Sequence, residues 1–153
     1  MIQRDYIERL IQQCAEFLQR ALSLRRAGQP ERAIELVREA RDQLAGPLRP
    51  LLERLEAGSL VQVVGPGQHE HVRAYAALLG EEGLIHGQLG DSVSAHLCCR
   101  RAVELYAALS LAGVPMRPVD LERIALLRGA LEPAGGLDER YRDELDRLRG
   151  GRR

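Results

Sequence analysis

The chain has no tryptophan, one phenylalanine and four tyrosines, so aromatic residues supply only 3% of its 153 positions. Any core must be aliphatic, made of Leu, Ile, Val and Ala. Lysine is absent as well, because all 22 basic residues are arginine. That excludes Schiff-base chemistry and a phosphate-loop lysine, and it reads as the codon bias of a GC-rich genome before it reads as a functional preference for guanidinium groups. No charge of one sign is in excess: 22 basic residues balance 22 acidic ones. A nucleic-acid binder draws affinity from a basic excess that displaces counterions, so nucleic acid is not an expected partner. Cysteine is scarce. Cys14, Cys98 and Cys99 form an odd set with an adjacent pair, which is no disulfide framework and suits a reducing compartment. No apolar run approaches the roughly 20 residues that a membrane span needs, and the opening MIQRDYIERL has no apolar stretch of the kind a signal peptide carries. The expectation is a cytoplasmic protein without membrane association or cofactor.

What is present is a chain with 45% hydrophobic and 29% charged residues, enough for one helical domain over 1–153. Asp5-x-x-Glu8 resembles a capping box, and Ile7, Leu10, Ile11, Cys14, Phe17, Leu18, Ala21 and Leu22 then recur at three- and four-residue steps up to Arg25, Arg26 and the stop at Gly28. Pro30 opens a second helix with Ala33, Ile34, Val37, Ala40 and Leu44 inward, ended by Gly46-Pro47. A shorter helix runs from Arg49 to Ala57, with Gly58 as its stop. Ser59 then caps a turn carrying Leu60, Val61, Val63 and Val64, a stretch whose β-branched residues equally allow an extended segment. Gly65-Pro66-Gly67 separates this half, 1–64, from a second half, 68–149. There the pattern predicts helices over Gln68–Gln88, Ser92–Leu111 and Asp120–Leu131, the last with Leu121, Ile124, Leu127 and Leu131 inward, after a rigid loop from Gly113 to Pro118. A final helix carries Leu137, Tyr141, Leu145 and Leu148, and residues 150–153 read as a frayed tail. No stretch alternates with a period of two, so the fold expected is all-α, with six to seven helices in antiparallel hairpins and no sheet.

One pattern occurs twice. Gly28 is followed by Ala33 and Ala40, and Gly90 by Ala95 and Ala102, each with steps of five and then seven residues. A turn glycine followed by small residues on one face lets two antiparallel helices nest. In this the chain resembles the tetratricopeptide repeat. In the second copy Gly83 takes the family's small residue on the first helix, while Leu79 and Glu82 stand where the family has an aromatic and a leucine. In the first copy Phe17 keeps the aromatic and Ala21 replaces the glycine. The copies lie 62 residues apart, against about 34 for contiguous repeats, so the likeness covers about half the chain. The whole layout is also similar to an uncharacterised bacterial family of short helical proteins that open Asp-Tyr-Ile-x-Arg-x-Ile, here Asp5-Tyr6-Ile7-Glu8-Arg9-Leu10-Ile11. That similarity implies a bacterial cytoplasmic protein and brings no activity with it.

The resemblance to the tetratricopeptide family implies a peptide-binding concave face on the first helix of each hairpin. On this chain that face would carry Ala15, Leu18, Leu22, Arg25 and Arg26 from the first copy, and Ala77, Gly80, Leu84, Gly87 and Gln88 from the second. The family's basic-and-asparagine clamp for terminal carboxylates is missing. Three glycines in one helix, Gly80, Gly83 and Gly87, each cost about 1 kcal/mol relative to alanine. They point to close approach by another helix, the first helix of this chain or one from a symmetry mate.

Chemical readings are weaker. His69 and His71 fall on different sides of a helix. His86 and Cys99 are sent by the repeat toward the hairpin interior, and His96 shares a face with Cys99. No zinc-type spacing occurs. Cys98 and Cys99 sit beside Arg100 and Arg101 but have no identifiable base. Glu81-Glu82 and Asp143-Glu144 read as a solvated, salt-bridged face, and no acid–base dyad or other catalytic residue stands out. Arg25-Arg26, Arg100-Arg101 and Arg147, Arg149, Arg152 and Arg153 either dock an anion or, like many helix-end arginines, satisfy carbonyls and dipoles. The expected function is a non-enzymatic interaction or adaptor module for a protein partner, a second copy in a homodimer included. The alternative is a small-molecule or metal-binding helical sensor using His86, His96 and Cys99.

Overall fold

A computed structural model describes residues 2–131 and 136–151, and among these residues the regular structure is entirely helical. In order these are α1 Ile2–Arg26, α2 Pro30–Ala45, α3 Arg49–Arg54, α4 Ala57–Val64, α5 His69–Gln88, α6 Ser92–Leu111, α7 Pro118–Leu131 and α8 Glu139–Gly150, with 3-10 turns at Gly46–Leu48 and Pro66–Gln68. None of these helices is long and apolar enough to cross a membrane. The loop expected over Pro133 to Gly136 lies outside the described residues except for Gly136, as do Arg152 and Arg153 of the tail.

The two glycine turns are built alike. Gly28 and Gly90 take φ of 76° and 84°, a region open to glycine at little cost. The Gly28 amide donates to Arg25 at 3.1 Å and the Gln29 amide to Leu24 at 2.9 Å. The Gly90 amide donates to Gly87 at 3.2 Å and the Asp91 amide to His86 at 2.9 Å. Each pair satisfies the last carbonyls of the preceding helix. The stretch expected as a rigid loop after α6 begins with the same device, since Gly113 (φ 90°) donates to Ser110 at 2.9 Å and Val114 to Leu109 at 3.0 Å. Pro118 then starts α7 as Pro30 starts α2. Three antiparallel connections therefore share one chemistry.

These turns lay α1 on α2, α5 on α6 and α6 on α7, and they leave α5 in the middle, touching α1, α2, α6 and α7. The largest buried cluster runs from Leu10, Cys14 and Leu18 through Leu44, Leu52 and Leu60 to Leu78, Val103, Tyr106, Leu127 and Leu145. A smaller one joins Ala21, Ala33, Ile34, Val37 and Ile85 where the first hairpin meets α5. Small residues make the close approaches. A Cβ on Gly83 would stand 2.5 Å from Cys99 Sγ, 3.0 Å from the Cys99 amide nitrogen and 3.2 Å from the Ala95 carbonyl oxygen, so α6 rests on the bare backbone of α5. A Cβ on Gly80 would stand 2.8 Å from Leu127 Cδ1 and 3.6 Å from Ala102 Cβ. Ala33, Ala40 and Ala102 are fully buried. The helices filling these gaps are α6 and α7, not α1, and Gly87 meets nothing within 4 Å.

Three local expectations are corrected. The first helix starts by Ile2, so Asp5 lies inside its first turn, exposed, where it favours the dipole instead of capping. Gly58 does not stop the third helix. The chain turns at Leu55 (φ −78°, ψ 141°), and the Glu56 carboxylate caps α4 by accepting from the Ser59 amide at 3.1 Å. Gly58 sits inside α4, donating its amide to the Tyr141 hydroxyl at 2.8 Å, so its missing side chain admits α8. Leu121 points outward, because the buried face of α7 is Asp120, Ile124, Leu127 and Leu131. The Asp120 carboxylate accepts from the Arg117 amide at 2.9 Å and pairs with Arg73 of α5, so a polar residue at the start of α7 locks it down.

The two glycines give a paired test by chemical denaturation. Gly83→Ala meets the backbone of α6 and is expected to lose about 1–3 kcal/mol, the usual cost of overpacking. Gly87→Ala meets open space and is expected to gain up to about 1 kcal/mol from helix propensity.

Candidate functional site

Because α5 is covered on several sides, the two carboxylates in its middle are buried, while Glu70 in its first turn stays exposed. Glu81 and Glu82 are 5% and 3% exposed, which overturns the reading of this pair as a solvated face. One helical step of about 100° sends the two side chains in different directions. Glu81 faces α1 and pairs with Arg25, whose second nitrogen lies 3.3 Å from the other carboxylate oxygen. Burial pushes its carboxyl above the ordinary range, against the pull of Arg25, Arg123 and Arg26. Glu82 faces α2 and accepts from Arg41 at 2.7 Å. Asp143 stays exposed, but Glu144 is buried, accepting from Ser110 Oγ at 2.5 Å and from Arg147 at 2.6 Å. The pairs around α5 are tertiary ties between helices, made possible by the same small residues that let α5 sink into the fold.

On the Glu81 side lies an open groove of about 240 Å³ between α1, α5 and α7. Leu22 and Leu84 form half-buried walls, with Val119 and Leu126 on the far bank. Leu126 and Val119 are 51% and 40% exposed, and they lie together on one bank of a concave surface instead of singly on a flat one. Gly80 floors the groove, and Gln19, Glu122 and Leu127 complete its lining. Arg25, Arg26 and Arg123 all act on the Glu81 carboxylate at its centre. Counting the rim carboxylate Glu122 as well, three guanidinium groups face two carboxylates, and the groove is net positive.

Of the residues expected on a concave face, Leu22, Arg25, Arg26, Gly80 and Leu84 line this groove. Leu18 and Ala77 instead belong to the core at 5% and 6% exposure. Ala15, Gly87 and Gln88 are exposed and lie outside the lining. The whole α7 bank, Val119 to Leu127, was missed. Its signal was the surplus of apolar residues in Val119–Leu131, more than one buried stripe needs.

Outside the groove that Arg25 and Arg26 share with Arg123, the arginine pairs do not gather into one patch, and four of these arginines take separate partners. Arg25 goes to Glu81, Arg100 to Glu104 at 3.2 Å, Arg101 to the Leu52 carbonyl at 2.6 Å and Arg147 to Glu144. The histidines divide too. His71 is buried against the Leu44 carbonyl, and burial lowers its pKa below the ordinary value. His86, His96 and Cys99 do not come together: His86 meets Glu82 and Cys98, while Cys99 packs on Gly83.

Burial raises all three thiols, Cys14 and Cys99 to about 11 and Cys98 to about 12. For Cys98 the nearby Glu82 adds to the rise, against Arg41 and Arg38. A thiolate nucleophile at neutral pH is therefore disfavoured at each position.

Comparison of the chain with protein-family models, with curated proteins and with solved structures finds no match.

Thiol reactivity checks this electrostatic picture. With iodoacetamide, each cysteine of the native protein is expected to react at least about tenfold more slowly at pH 7.5 than in denaturant, with native rates still climbing above pH 9. A cysteine that reacts faster folded than unfolded would contradict it.

Proposed function

We propose that the chain is a non-enzymatic interaction module of the bacterial cytoplasm whose groove between α1, α5 and α7 receives a segment of another protein. The observation that carries this reading is the groove's make-up: exposed Leu126 and Val119 face Leu22 and Leu84 beneath a net positive rim. Its volume, about 240 Å³, falls below the roughly 300–1,000 Å³ of small-molecule sites. It suits one or two anchoring side chains from a larger partner better than a whole ligand.

The occupant fitted by this chemistry is a peptide with a large apolar anchor next to an aspartate or glutamate. Arg26 and Arg123 would meet the acidic residue, because Arg25 already serves Glu81. Apolar burial would supply affinity, and charge would set orientation and speed of association. The resemblance to tetratricopeptide hairpins supports the reading from a separate direction, since that family uses the first helices of its hairpins in the same way and here α1 and α5 form one wall.

The test is selection of a random peptide library on the immobilised protein, with Leu84→Asp as the counter-selection target. Enriched peptides are expected to carry the apolar–acidic pair and to lose at least about tenfold in affinity for Arg123→Glu. No enrichment over Leu84→Asp would refute the reading. A wild-type dimer that becomes monomeric in Leu126→Arg would replace the peptide with a second copy of the chain.

A further inference from the structure

The opposite flank of α5 holds a different chemistry. Among the described residues, Glu82, His86 and Cys98 form the one group whose potential ligand atoms all lie within 4.8 Å of one another. Glu82 and His86 are one helical turn apart on α5, and Cys98 comes across from α6 at the approach set by Gly83. His86 Nε2 stands 3.4 Å from Glu82 Oε2. Ligands at about 2.0–2.2 Å in a tetrahedron are separated by about 3.3–3.6 Å, so this pair already spans one edge.

The surroundings are those of a held site. Arg41 takes Glu82 Oε1 at 2.7 Å and leaves Oε2 toward His86. The other ring nitrogen of His86, Nδ1, has the Asp91 carboxylate 4.0 Å away, a nearby negative charge beyond hydrogen-bond distance. Glu82 and His86 are buried while Cys98 is half-exposed, so an ion has an entry side. The Arg41 and Arg38 guanidinium groups are nearby positive charges; Arg41 is matched by Glu82, and a bound thiolate would add a second negative charge to the ligand set.

We infer that Glu82 Oε2, His86 Nε2 and Cys98 Sγ bind a single Zn²⁺-like ion, with water as the fourth ligand. One carboxylate, one imidazole and one thiolate are a donor set for a borderline transition ion and not for Mg²⁺ or Ca²⁺. Binding would release the Cys98 proton and strengthen as pH rises. The ion would join α5 to α6 and stabilise the folded chain in proportion to its free concentration.

The experiment is titration of chelator-treated protein with Co²⁺ alone and then with Zn²⁺ in competition. One equivalent of Co²⁺ is expected to give the visible bands of a four-coordinate ion and a thiolate charge-transfer band. Cys98→Ser should remove the charge-transfer band and His86→Gln should weaken binding at least about tenfold, while Cys99→Ser and His96→Ala leave both unchanged. In the wild-type chain, one equivalent of Zn²⁺ should protect Cys98 and not Cys14 from alkylation, a readout that requires no variant to fold. Absence of stoichiometric uptake, a charge-transfer band surviving Cys98→Ser, or protection falling on another cysteine would each overturn the assignment.

Discussion

The structure depends on burying one helix that is not wholly apolar. α5 lies in the middle of the fold, and a helix in that position must either be hydrophobic all round or bring partners for its polar groups. It does the second. Arg73 meets Asp120, Glu81 meets Arg25 and Glu82 meets Arg41, so α7, α1 and α2 each reach α5 through an ion pair. Removing one partner of such a buried pair commonly costs about 3–5 kcal/mol, far more than a surface pair contributes. The pairs act as register pins: each neighbouring helix is placed where a specific charge on α5 requires it.

Glycine makes that burial geometrically feasible. Gly83 brings α6 onto the α5 backbone, and Gly80 admits Leu127. Both weaken the helix locally, and the tertiary contacts they permit offset the loss. The same close packing separates the two flanks of α5. Glu81 opens on a groove with apolar walls and arginines; Glu82 sits with an imidazole and a thiol. Adjacent residues thereby serve two surfaces of different chemistry.

Much of this architecture was legible in the sequence, because turns and small residues act locally. Gly28 and Gly90 with their following alanines marked two hairpins, and the bounds expected for α6, Ser92–Leu111, are those found. The third turn at Gly113 went unread because prolines beside it suggested a loop. Charge placement was harder to see. Glu81-Glu82 next to Gly83 looks like any exposed acidic pair until the arginines arrive from α1 and α2, 56 and 41 residues away. Gly58 misled for the same reason, since its partner Tyr141 is 83 residues distant. The α7 bank of the groove was hidden by the assumption of a single inward stripe; Leu121 and Leu126 face out while Ile124 and Leu127 face in. Local grammar showed the helices, and long-range pairing decided what their faces do.

Native-state amide hydrogen exchange tests the central position of α5 most directly. Amides from Tyr75 to Ile85 should exchange only through global unfolding, at the free energy measured by denaturation, and should be the slowest in the chain. Exchange of those amides through a local opening, at lower free energy than amides in α1 or α8, would contradict the claim that α5 is the element on which the other helices are pinned.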